Sequence, residues 1–381
     1  MRKNKGALVL VIGSSKITAI IGEYGLNNSF VEIALADSYY DGFSKNRFLD
    51  EENFTSLIEE LTLSVLEKSR RKFSEIFVGV PACFVKLKSK KLKAEFPRKR
   101  KIIRSDLEAL ENAGKNYVLS GNDYKIIHSF PQYFILDDGN KTDKPLNAHS
   151  TVLAANFSYI LCEKYFCDLI GKALKNTQIE KINFVFETMA ESGVISCDEY
   201  DVGIPRFIID VGYISTGAVL LENGKVLSIF SSDFGGAYLN AWLCERYGID
   251  FFDAEELKKK INFGLSGNDG TMYSVTTESG DTISLPVDDV NSFIVAKLDN
   301  FLGELHGFIC DSLEERGKNY VGEEKVKLIF TGGGLSYYRG VELYLSGRLE
   351  MPVEIASPDI PLHEKPTETA KFALLKFALD N

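Results

Sequence analysis

The sequence predicts an α/β protein built from two similar halves. Strands and helices alternate along its 381 residues, and a three-strand meander over 7–36 has a counterpart over 207–230. Three apolar strands end in glycine-marked turns, at Gly13, at Gly212 and at 332–334. Glycine permits positive φ and close backbone approach, and successive N–H groups in such turns bind anions. Two such hairpins about 200 residues apart, followed by a triple glycine, predict two half-molecules that hold one nucleotide between them.

The first half is predicted from apolar and β-branched runs and one amphipathic helix. Strands are expected at 7–12, 17–23, 30–36 and 76–80, with a helix at 51–70. Apolar residues recur on one face of that helix at a spacing of three or four, namely at Phe54, Leu57, Ile58, Leu61 and Val65.

A basic run interrupts this pattern. Between Lys86 and Arg104 there are ten Lys or Arg residues and one acid, Glu95, which gives +9 in a chain whose total charge is −10. The run is either a solvated strand face or a contact surface for an acidic partner or a neighbouring acidic subunit. Contact with anionic lipid is the less favoured alternative.

We interpret residues 84–161 as an inserted subdomain. Residues 84–88 alternate in polarity as a half-exposed strand does, and further strands are expected at 126–136 and 151–161. Ser105 and Glu108 have the spacing of a capping box, which predicts a helix start.

The second half repeats the strand meander and adds more helix. Strands are predicted at 181–186, 207–211, 216–221, 225–230 and 326–330, with a hairpin-like stretch at 272–286. Helical segments are predicted at 163–175, 187–200 (a connector), 235–264, 288–315 and 366–379.

Composition excludes several classes of function. The net charge of −10 argues against non-specific nucleic-acid binding, and no apolar run reaches the ~18 residues of a transmembrane helix. The six cysteines show no CxxC spacing, and Cys162 and Cys167, five apart on a predicted helix, are not expected to share a face. Free thiols in a reducing cytoplasm are therefore expected. The four histidines lack ligand spacing, so no zinc site is predicted.

The three turns, in this order, resemble the phosphate-1, phosphate-2 and adenosine motifs of the actin, hexokinase and heat-shock-chaperone ATPase superfamily. Within it the chain is most similar to the bacterial cell-division FtsA family. The loop 13–19 resembles that family's opening loop, and 128–137 resembles a segment inside a subdomain that other actins lack. Gly235-Gly236 followed by 254–258 resembles the run into the ribose-contacting helix. The likeness extends over about residues 7–378.

This resemblance implies an actin-like two-lobed fold with duplicated ribonuclease-H-like domains and an FtsA-type IC insert. Subdomain IA would comprise 1–83 and 366–381, and subdomain IC would comprise 84–161. The connector and subdomain IIA would comprise 162–235 and 301–365, with subdomain IIB at 236–300.

The resemblance also implies a site for ATP or ADP with Mg²⁺. Asp210 would orient water on Mg²⁺ without binding the metal directly. Lys16 would lie near the β-phosphate, its alternative being a solvated turn lysine, and Glu255 and Lys258 would hold the ribose, their alternative being an ordinary surface ion pair. The implied cofactor-binding residues are Gly13, Ser14, Ser15, Lys16, Asp210, Gly212, Ser215, Thr216, Gly235, Gly236, Glu255, Lys258, Gly332, Gly333 and Gly334.

Two of the three motifs depart from the family pattern. Val11 stands where the family has an Asp that orients waters on Mg²⁺, a metal that requires oxygen ligands. Tyr213 and Ile214 replace small residues, and Gly217 replaces an Asp. A β-branched side chain resists positive φ and blocks close approach. We therefore expect a degenerate site that binds nucleotide weakly or not at all, with negligible turnover.

Partners are implied by the resemblance as well. The segment 294–299 resembles the family's contact for the FtsZ C-terminal tail, with Lys297 where Arg is usual, and self-association into filaments is implied. The helix 367–379 lacks the basic and aromatic face of an interfacial anchor, so we expect no autonomous membrane anchor and a membrane link through a partner. The expected location is cytoplasmic, at the division site on the inner face of the cell membrane.

The leading interpretation is thus an FtsA-like cytoskeletal adaptor. One alternative is a working ATPase or a sugar or acid kinase of the same superfamily. Against a kinase, the connector 187–200 shows no acid placed as an evident hydroxyl base, and the first motif lacks its Asp. Another alternative is a pilus-assembly adaptor of the same fold, which the segment 128–137 disfavours.

Overall fold

The structure is a computed structural model that describes residues 6–26, 29–119, 123–196, 204–265, 270–277, 280–315 and 326–381. From the N-terminus its strands are β1 Ala7–Ile12, β2 Lys16–Tyr24, β3 Phe30–Tyr39, β4 Phe43–Ser44, β5 Arg47–Phe48, β6 Glu75–Val80, β7 Val85–Lys101, β8 Tyr124–Ile135, β9 Lys141–Thr142, β10 His149–Glu163, β11 Lys181–Phe186, β12 Arg206–Val211, β13 Thr216–Glu222, β14 Lys225–Ser232, β15 Met272–Thr276, β16 Thr282–Pro286, β17 Lys327–Thr331 and β18 Val353–Ile355. The α-helices are α1 Glu51–Ser69, α2 Arg104–Val118, α3 Lys164–Ala173, α4 Glu187–Glu191, α5 Gly236–Tyr247, α6 Phe251–Lys260, α7 Val287–Glu314, α8 Val341–Leu349 and α9 Thr369–Asp380.

Two five-stranded sheets have the same topology. The first has the order β11-β6-β1-β2-β3, and the second has the order β14-β13-β12-β17-β18. In each sheet the first strand of the meander, β1 or β12, pairs antiparallel with the second, β2 or β13. The same first strand pairs parallel with a later strand, β6 or β17. The duplicated α/β fold that the sequence predicts is therefore confirmed. Its outer strand β18 and helix α8 were not predicted, because both are short and lack a clear apolar period.

Each sheet is covered on both faces, as the apolar runs require. All six residues of β1 are buried. Alternate side chains of a strand point to opposite faces, so Leu8 and Leu10 pack toward Phe54 of α1, whereas Val9 packs toward Leu375 of α9. The first two glycine turns directly follow β1 and β12, which are the central strands of these sheets.

A third sheet, ordered β7-β10-β8-β9, is formed mainly by the residues predicted as an insert, 84–161, and its strand β10 extends to Glu163. Its strand β7 has 17 residues, far longer than the predicted 84–88, and alternates partly buried with exposed residues. Helix α2 covers one face through Leu110, with Phe157 and Tyr159 beneath it. The Tyr159 hydroxyl donates to Glu111 O, and a Cβ on Gly114 would lie 1.8 Å from that hydroxyl.

The start of α2 differs from its prediction. Ser105 lies inside the helix, which begins at Arg104. Asp106, rather than Glu108, accepts the hydrogen bond from the Ile103 N–H at 2.9 Å, and it is also bound by the Arg100 guanidinium at 2.6 and 2.8 Å. This charge-assisted bidentate pair fixes Asp106 as the capping side chain.

The prediction about the cysteine pair is wrong. Cys162 lies at the end of β10 and Cys167 in α3, and both are buried. The chain turns between the two elements, which brings the Cys167 and Cys162 sulfur atoms to 3.5 Å.

No helix among the described residues combines the length and apolarity that a bilayer crossing would need.

Candidate functional site

The two glycine hairpins face each other across a cleft of about 1270 Å³. They have the same backbone hydrogen bond: Gly13 N–H donates to Lys16 O at 3.0 Å, and Gly212 N–H donates to Ser215 O at 2.9 Å. A Cβ on either glycine would lie 2.8 or 2.9 Å from that same carbonyl oxygen, so neither turn accommodates a side chain there.

This equivalence sets Val11 and Asp210 at matching positions, two residues before each glycine. Val11 pairs with Thr18 across the first hairpin, and Asp210 pairs with Gly217 across the second. Both Val11 and Asp210 line the cleft. The fold therefore presents one carboxylate where a symmetric site would present two.

The hairpins also touch each other directly. Ser14 Oγ accepts a hydrogen bond from the Ile214 N–H at 3.1 Å. The Ile214 side chain extends toward Gly42, where a Cβ would lie 3.5 Å from Ile214 Cδ1. A backbone amide of the second hairpin's turn thus already has a partner on the first hairpin.

The third glycine turn closes the floor of the cleft. Gly332 has φ of +82°, and a Cβ there would lie 2.1 Å from Asp210 Oδ1. The Gly334 N–H donates to Val211 O at 2.7 Å, which fastens this turn to the second hairpin. Glycine is required here by both conformation and close approach.

Glu255 and Lys258 form an ion pair in the cleft wall, with Oε2 and Nζ 2.5 Å apart. The Lys258 side chain is only 10% exposed, which is unlike an ordinary surface pair. Asn240 Nδ2 also donates to Glu255 at 2.5 Å. Burial raises the pKa of Glu255, but the hydrogen bonds from Lys258 and Asn240 outweigh it and lower the pKa; burial lowers the pKa of Lys258.

Two cleft acids were missed by the sequence analysis. The expectation that the connector 187–200 offers no suitable acid is wrong, because α4 carries Glu187 and Glu191, and both line the cleft. The two acids are four residues apart and share a helix face. That spacing, directly after the apolar strand β11, was the available signal.

We call Glu187, Glu191 and Asp210 the acid floor. Burial raises the pKa of Asp210 to about 6, and burial together with the Asp210 charge raises that of Glu187 to about 8. Burial, then Asp210 and Glu187, raise the pKa of Glu191 well above its usual range. Glu187 Oε1 has no hydrogen-bond partner among the described residues, whereas the carboxyl groups of Glu191 and Asp210 share a hydrogen bond. Carboxylates only accept, so Glu191 donates to Asp210 only when protonated.

A hydrated metal ion fits this floor better than a directly bound one. In the part of the chain that the structure describes, no group of three or more His, Cys, Asp or Glu side chains is arranged to bind a metal. Mg²⁺ keeps several of its waters in proteins. Glu187 Oε1, which has no hydrogen-bond partner among the described residues, is an acceptor suited to such a water when the carboxyl is ionised.

The cleft brings together most of the predicted site residues. Those that line it are Gly13, Ser14, Ser15, Lys16, Asp210, Gly212, Ser215, Gly236, Glu255, Lys258, Gly332, Gly333 and Gly334. Lys16 also lies 3.4 Å from Asp37, so the lysine is held at the cleft rim by an ion pair.

Three predicted residues lie elsewhere. Thr216 points away from the cleft, because strand alternation turns it inward, and its hydroxyl donates to Phe234 O at 2.8 Å. Gly235 caps α5 and does not line the cleft; a Cβ there would lie 2.4 Å from Tyr213 O. Lys297, predicted for a partner and not for nucleotide, lies on α7.

Curated relatives of the chain were found by sequence, whereas no protein-family model matches it. The cell division protein FtsA of Buchnera aphidicola (subsp. Schizaphis graminum) is 19% identical over 279 residues, 73% of this chain and 66% of that protein. FtsA of Buchnera aphidicola (subsp. Baizongia pistaciae) is 22% identical over 270 residues, 71% of this chain and 63% of that protein. FtsA of Pseudomonas aeruginosa is 20% identical over 228 residues. The match spans 54% to 66% of these relatives' length.

Solved structures show the same fold at low identity. The PilM–PilN type IV pilus biogenesis complex contains a chain with a TM-score of 0.64 and 15% identity, and the match covers both chains completely. MreB5 of Spiroplasma citri bound to AMPPNP has a TM-score of 0.52 and 11% identity over 99% of this chain and 96% of its own. The ethanolamine utilization protein EutJ of Carboxydothermus hydrogenoformans has a TM-score of 0.51 and 13% identity over 98% of this chain and 91% of its own. The predicted actin-like fold is thereby confirmed.

Proposed function

Because the chain is a divergent FtsA-like member of the actin family, we propose that it serves as a cytoskeletal adaptor in bacterial cell division. The similarity to three FtsA proteins carries this proposal. The insert supports it. Its strand β8, which contains most of the FtsA-like segment 128–137, binds the second lobe: Gln132 Nε2 donates to Val226 O at 2.7 Å, and Lys225 Nζ donates to Gln132 O at 2.8 Å.

The proposed partner is the C-terminal tail of FtsZ. Lys297 on α7 lies over the rings of Trp242 and Phe293, at 5.4 and 5.5 Å from their centroids. A lysine held over aromatic rings at a partly exposed site offers an acidic peptide both a charge and an apolar surface. This surface of Trp242, Phe293 and Lys297 is our candidate docking site for the tail.

Fluorescence anisotropy with a labelled FtsZ tail peptide tests the proposal. We expect Lys297→Glu to weaken binding about tenfold or more, because charge reversal replaces attraction with repulsion. Lys297→Arg should bind at least as tightly as the wild type, and Lys172→Glu on α3 is the matched control with the same charge change on a remote exposed lysine. Equal binding by wild type and Lys297→Glu would rule the surface out.

For the cleft, we propose ATP or ADP binding that is weak and turnover that is negligible. Val11 removes one acceptor for waters on Mg²⁺, and the Ile214 N–H of the second hairpin is already bound to Ser14 Oγ. Calorimetry with ATP, with and without Mg²⁺, and a phosphate-release assay test this. Hydrolysis that Asp210→Ala abolishes would instead support the alternative of an active ATPase, which the presence of Glu187 in the cleft favours.

Location and assembly complete the proposal. We place the protein in the cytoplasm, recruited to the division site at the inner face of the membrane, and we propose that copies self-associate into filaments. Phe372, Leu374 and Leu375 of α9 are buried in the first lobe, so this face is not available to a membrane. We propose that a partner supplies the membrane link.

A pilus-assembly adaptor is the second candidate. Its support is the fold likeness to the pilus biogenesis complex over the whole chain, which concerns architecture alone. Binding of the FtsZ tail peptide through Lys297 would favour the division adaptor, whereas loss of that binding together with intact folding would favour this candidate.

A further inference from the structure

The basic run of the sequence forms an open edge of the third sheet. Strand β7 carries the run and pairs only with β10, in a register that is unbroken from Val85 to Glu95. Beyond Glu95 the register shifts, and Pro97 has no N–H to donate. Alternate residues of an antiparallel strand direct their N–H and C=O groups away from the neighbouring strand. The unbroken stretch therefore presents a row of main-chain donors and acceptors on the side away from β10.

The two edges of this sheet differ in length and exposure. The edge opposite β7 is β9, which has only two residues, and so short a strand offers little for pairing. On β7 none of residues 88–95 is buried, and we call this stretch the β7 edge. Among the described residues, β10 alone forms main-chain hydrogen bonds with it. The β7 edge is thus long enough and exposed enough to accept a further strand.

Lysines flank the β7 edge on both faces of the sheet. Lys88 lies opposite Tyr159, which is beneath α2, so Lys88 and Lys90 belong to the face that α2 covers. Lys91 and Lys93 alternate with them and belong to the other face. An extended segment added to this edge would therefore meet positive charge on both of its sides.

Most of this charge is not neutralised within the chain. Lys93 is paired with Glu95, the one acid of the run, with Nζ and Oε1 2.5 Å apart. Lys88 and Lys91 are exposed and make no ion pair with a described residue. Like charges that face each other destabilise paired strands, which disfavours a second copy of β7 as the occupant. A flat anionic surface would reach the lysines of one face only, whereas an added strand reaches both.

We propose that the β7 edge binds an extended acidic segment of a partner protein, which adds a strand beside β7 and places its carboxylates against the lysines on both faces. In such strand addition, main-chain hydrogen bonds supply affinity and side chains supply specificity. Lysines on an edge discourage pairing with neutral or basic strands, and the same lysines select an acidic one. The β7 edge belongs to the insert and is separate from the docking surface of Trp242, Phe293 and Lys297.

Fluorescence anisotropy with two labelled peptides of equal charge tests the proposal. A peptide that repeats Glu-Glu-Thr-Thr presents acids on both sides of a strand, whereas one that repeats Glu-Glu-Pro-Pro keeps the charge but cannot pair as a strand. We expect the full chain to bind the first peptide, and Lys88→Glu/Lys91→Glu to weaken that binding about tenfold or more. Lys172→Glu/Lys175→Glu, the same charge change at exposed lysines outside the third sheet, is the matched control and should bind as the wild type does.

Hydrogen exchange measured by mass spectrometry locates the bound peptide. Amides of residues 88–95 should exchange more slowly when the first peptide is bound, and those of β9 at the opposite edge should not change. Thermal unfolding of the free proteins shows that each variant folds. Equal binding of the proline peptide would mean attraction by charge alone, and protection on α7 instead of β7 would mean a different site; either result would overturn the proposal.

Two other occupants are distinguished by the same variants. Vesicles of phosphatidylglycerol that bind through Lys88 and Lys91, without binding of the peptide, would assign this surface to anionic lipid. Self-association that Lys88→Glu/Lys91→Glu abolishes, measured by light scattering and again without binding of the peptide, would assign it to a second copy. Both results would overturn the proposal. Lys297→Glu should leave binding of the first peptide unchanged, so the test is independent of the FtsZ tail.

Discussion

In the first hairpin a side chain holds the turn, whereas in the second a helix does. The Tyr40 hydroxyl donates to Gly13 O at 2.8 Å, and the Tyr40 N–H donates to Ser15 O at 3.1 Å. In the second hairpin, the N–H groups of Gly236 and Ala237 at the start of α5 donate to Gly212 O and Tyr213 O, at 3.0 and 2.7 Å.

The difference shows which part of a duplicated fold is constrained. Both turns retain one backbone hydrogen bond and one glycine, because the turn geometry requires them. The side chains that carry chemistry are not duplicated: Val11 faces Thr18, whereas Asp210 faces Gly217. The acids of the acid floor lie on the second hairpin and α4, with none on the first hairpin, and the predictions below test that asymmetry.

The largest expected effect is on pH dependence, and it comes from the acid floor, to which the first hairpin contributes no acid. The pKa of Glu187 is raised to about 8 by burial and by Asp210, and the pKa of Asp210 is raised to about 6 by burial. Because these values exceed those of the unfolded chain, the stability associated with the protonated groups is full below about pH 4 and is lost as pH rises toward 8.

Glu187→Gln should therefore gain stability relative to the wild type as pH rises from about 4 to 8, by up to a few kcal/mol. Urea unfolding at several pH values measures this, with Glu60→Gln on α1 as the exposed control. A stability difference that does not vary with pH would show that Glu187 is not the titrating group.

The second prediction compares matching positions of the two hairpins. A Cβ on Gly217 would lie 2.8 Å from both Ala82 Cβ and Thr188 Oγ1, so Gly217→Ala should destabilise the protein by about 1–3 kcal/mol through overpacking. Thr18→Ala, the counterpart in the first hairpin, removes atoms from the cleft wall and should cost less. Chemical denaturation measures the loss in free energy of unfolding for both variants. A larger loss for Thr18→Ala than for Gly217→Ala would contradict the assigned packing.

Much of this fold could be read from the sequence, because its signals are local. The buried strand β1 is a continuous apolar run, β11 is a partly buried one that is mostly apolar, and the predicted bounds of both agree with the structure. The glycine turns and the pair Glu255 and Lys258 were found by spacing, and the structure places them on one cleft. Strand β18 was not predicted, because three residues are too few to show an alternation of polarity.

The chemistry of the cleft was less accessible to sequence reasoning. Glu191 interacts with Asp210 only because α4 packs on β12, and no local sequence pattern predicts that contact between elements. Thr216 was misplaced for a similar reason: its motif predicts ligand contact, but the register of β12 and β13 turns the side chain toward Phe234. The approach of Cys162 to Cys167 likewise depends on a turn between two elements.

The smallest expected effect concerns the contact between the hairpins. Ser14→Ala removes the acceptor for the Ile214 N–H, and we expect a loss of about 1 kcal/mol in the free protein. If that hydrogen bond competes with a phosphate for the Ile214 N–H, the variant leaves this N–H free for the phosphate. The variant's affinity for ADP should then fall by less than its free energy of unfolding. Calorimetry and denaturation on one preparation separate the two. Unchanged stability together with weakened ADP binding would mean that Ser14 contacts the ligand instead of closing the cleft.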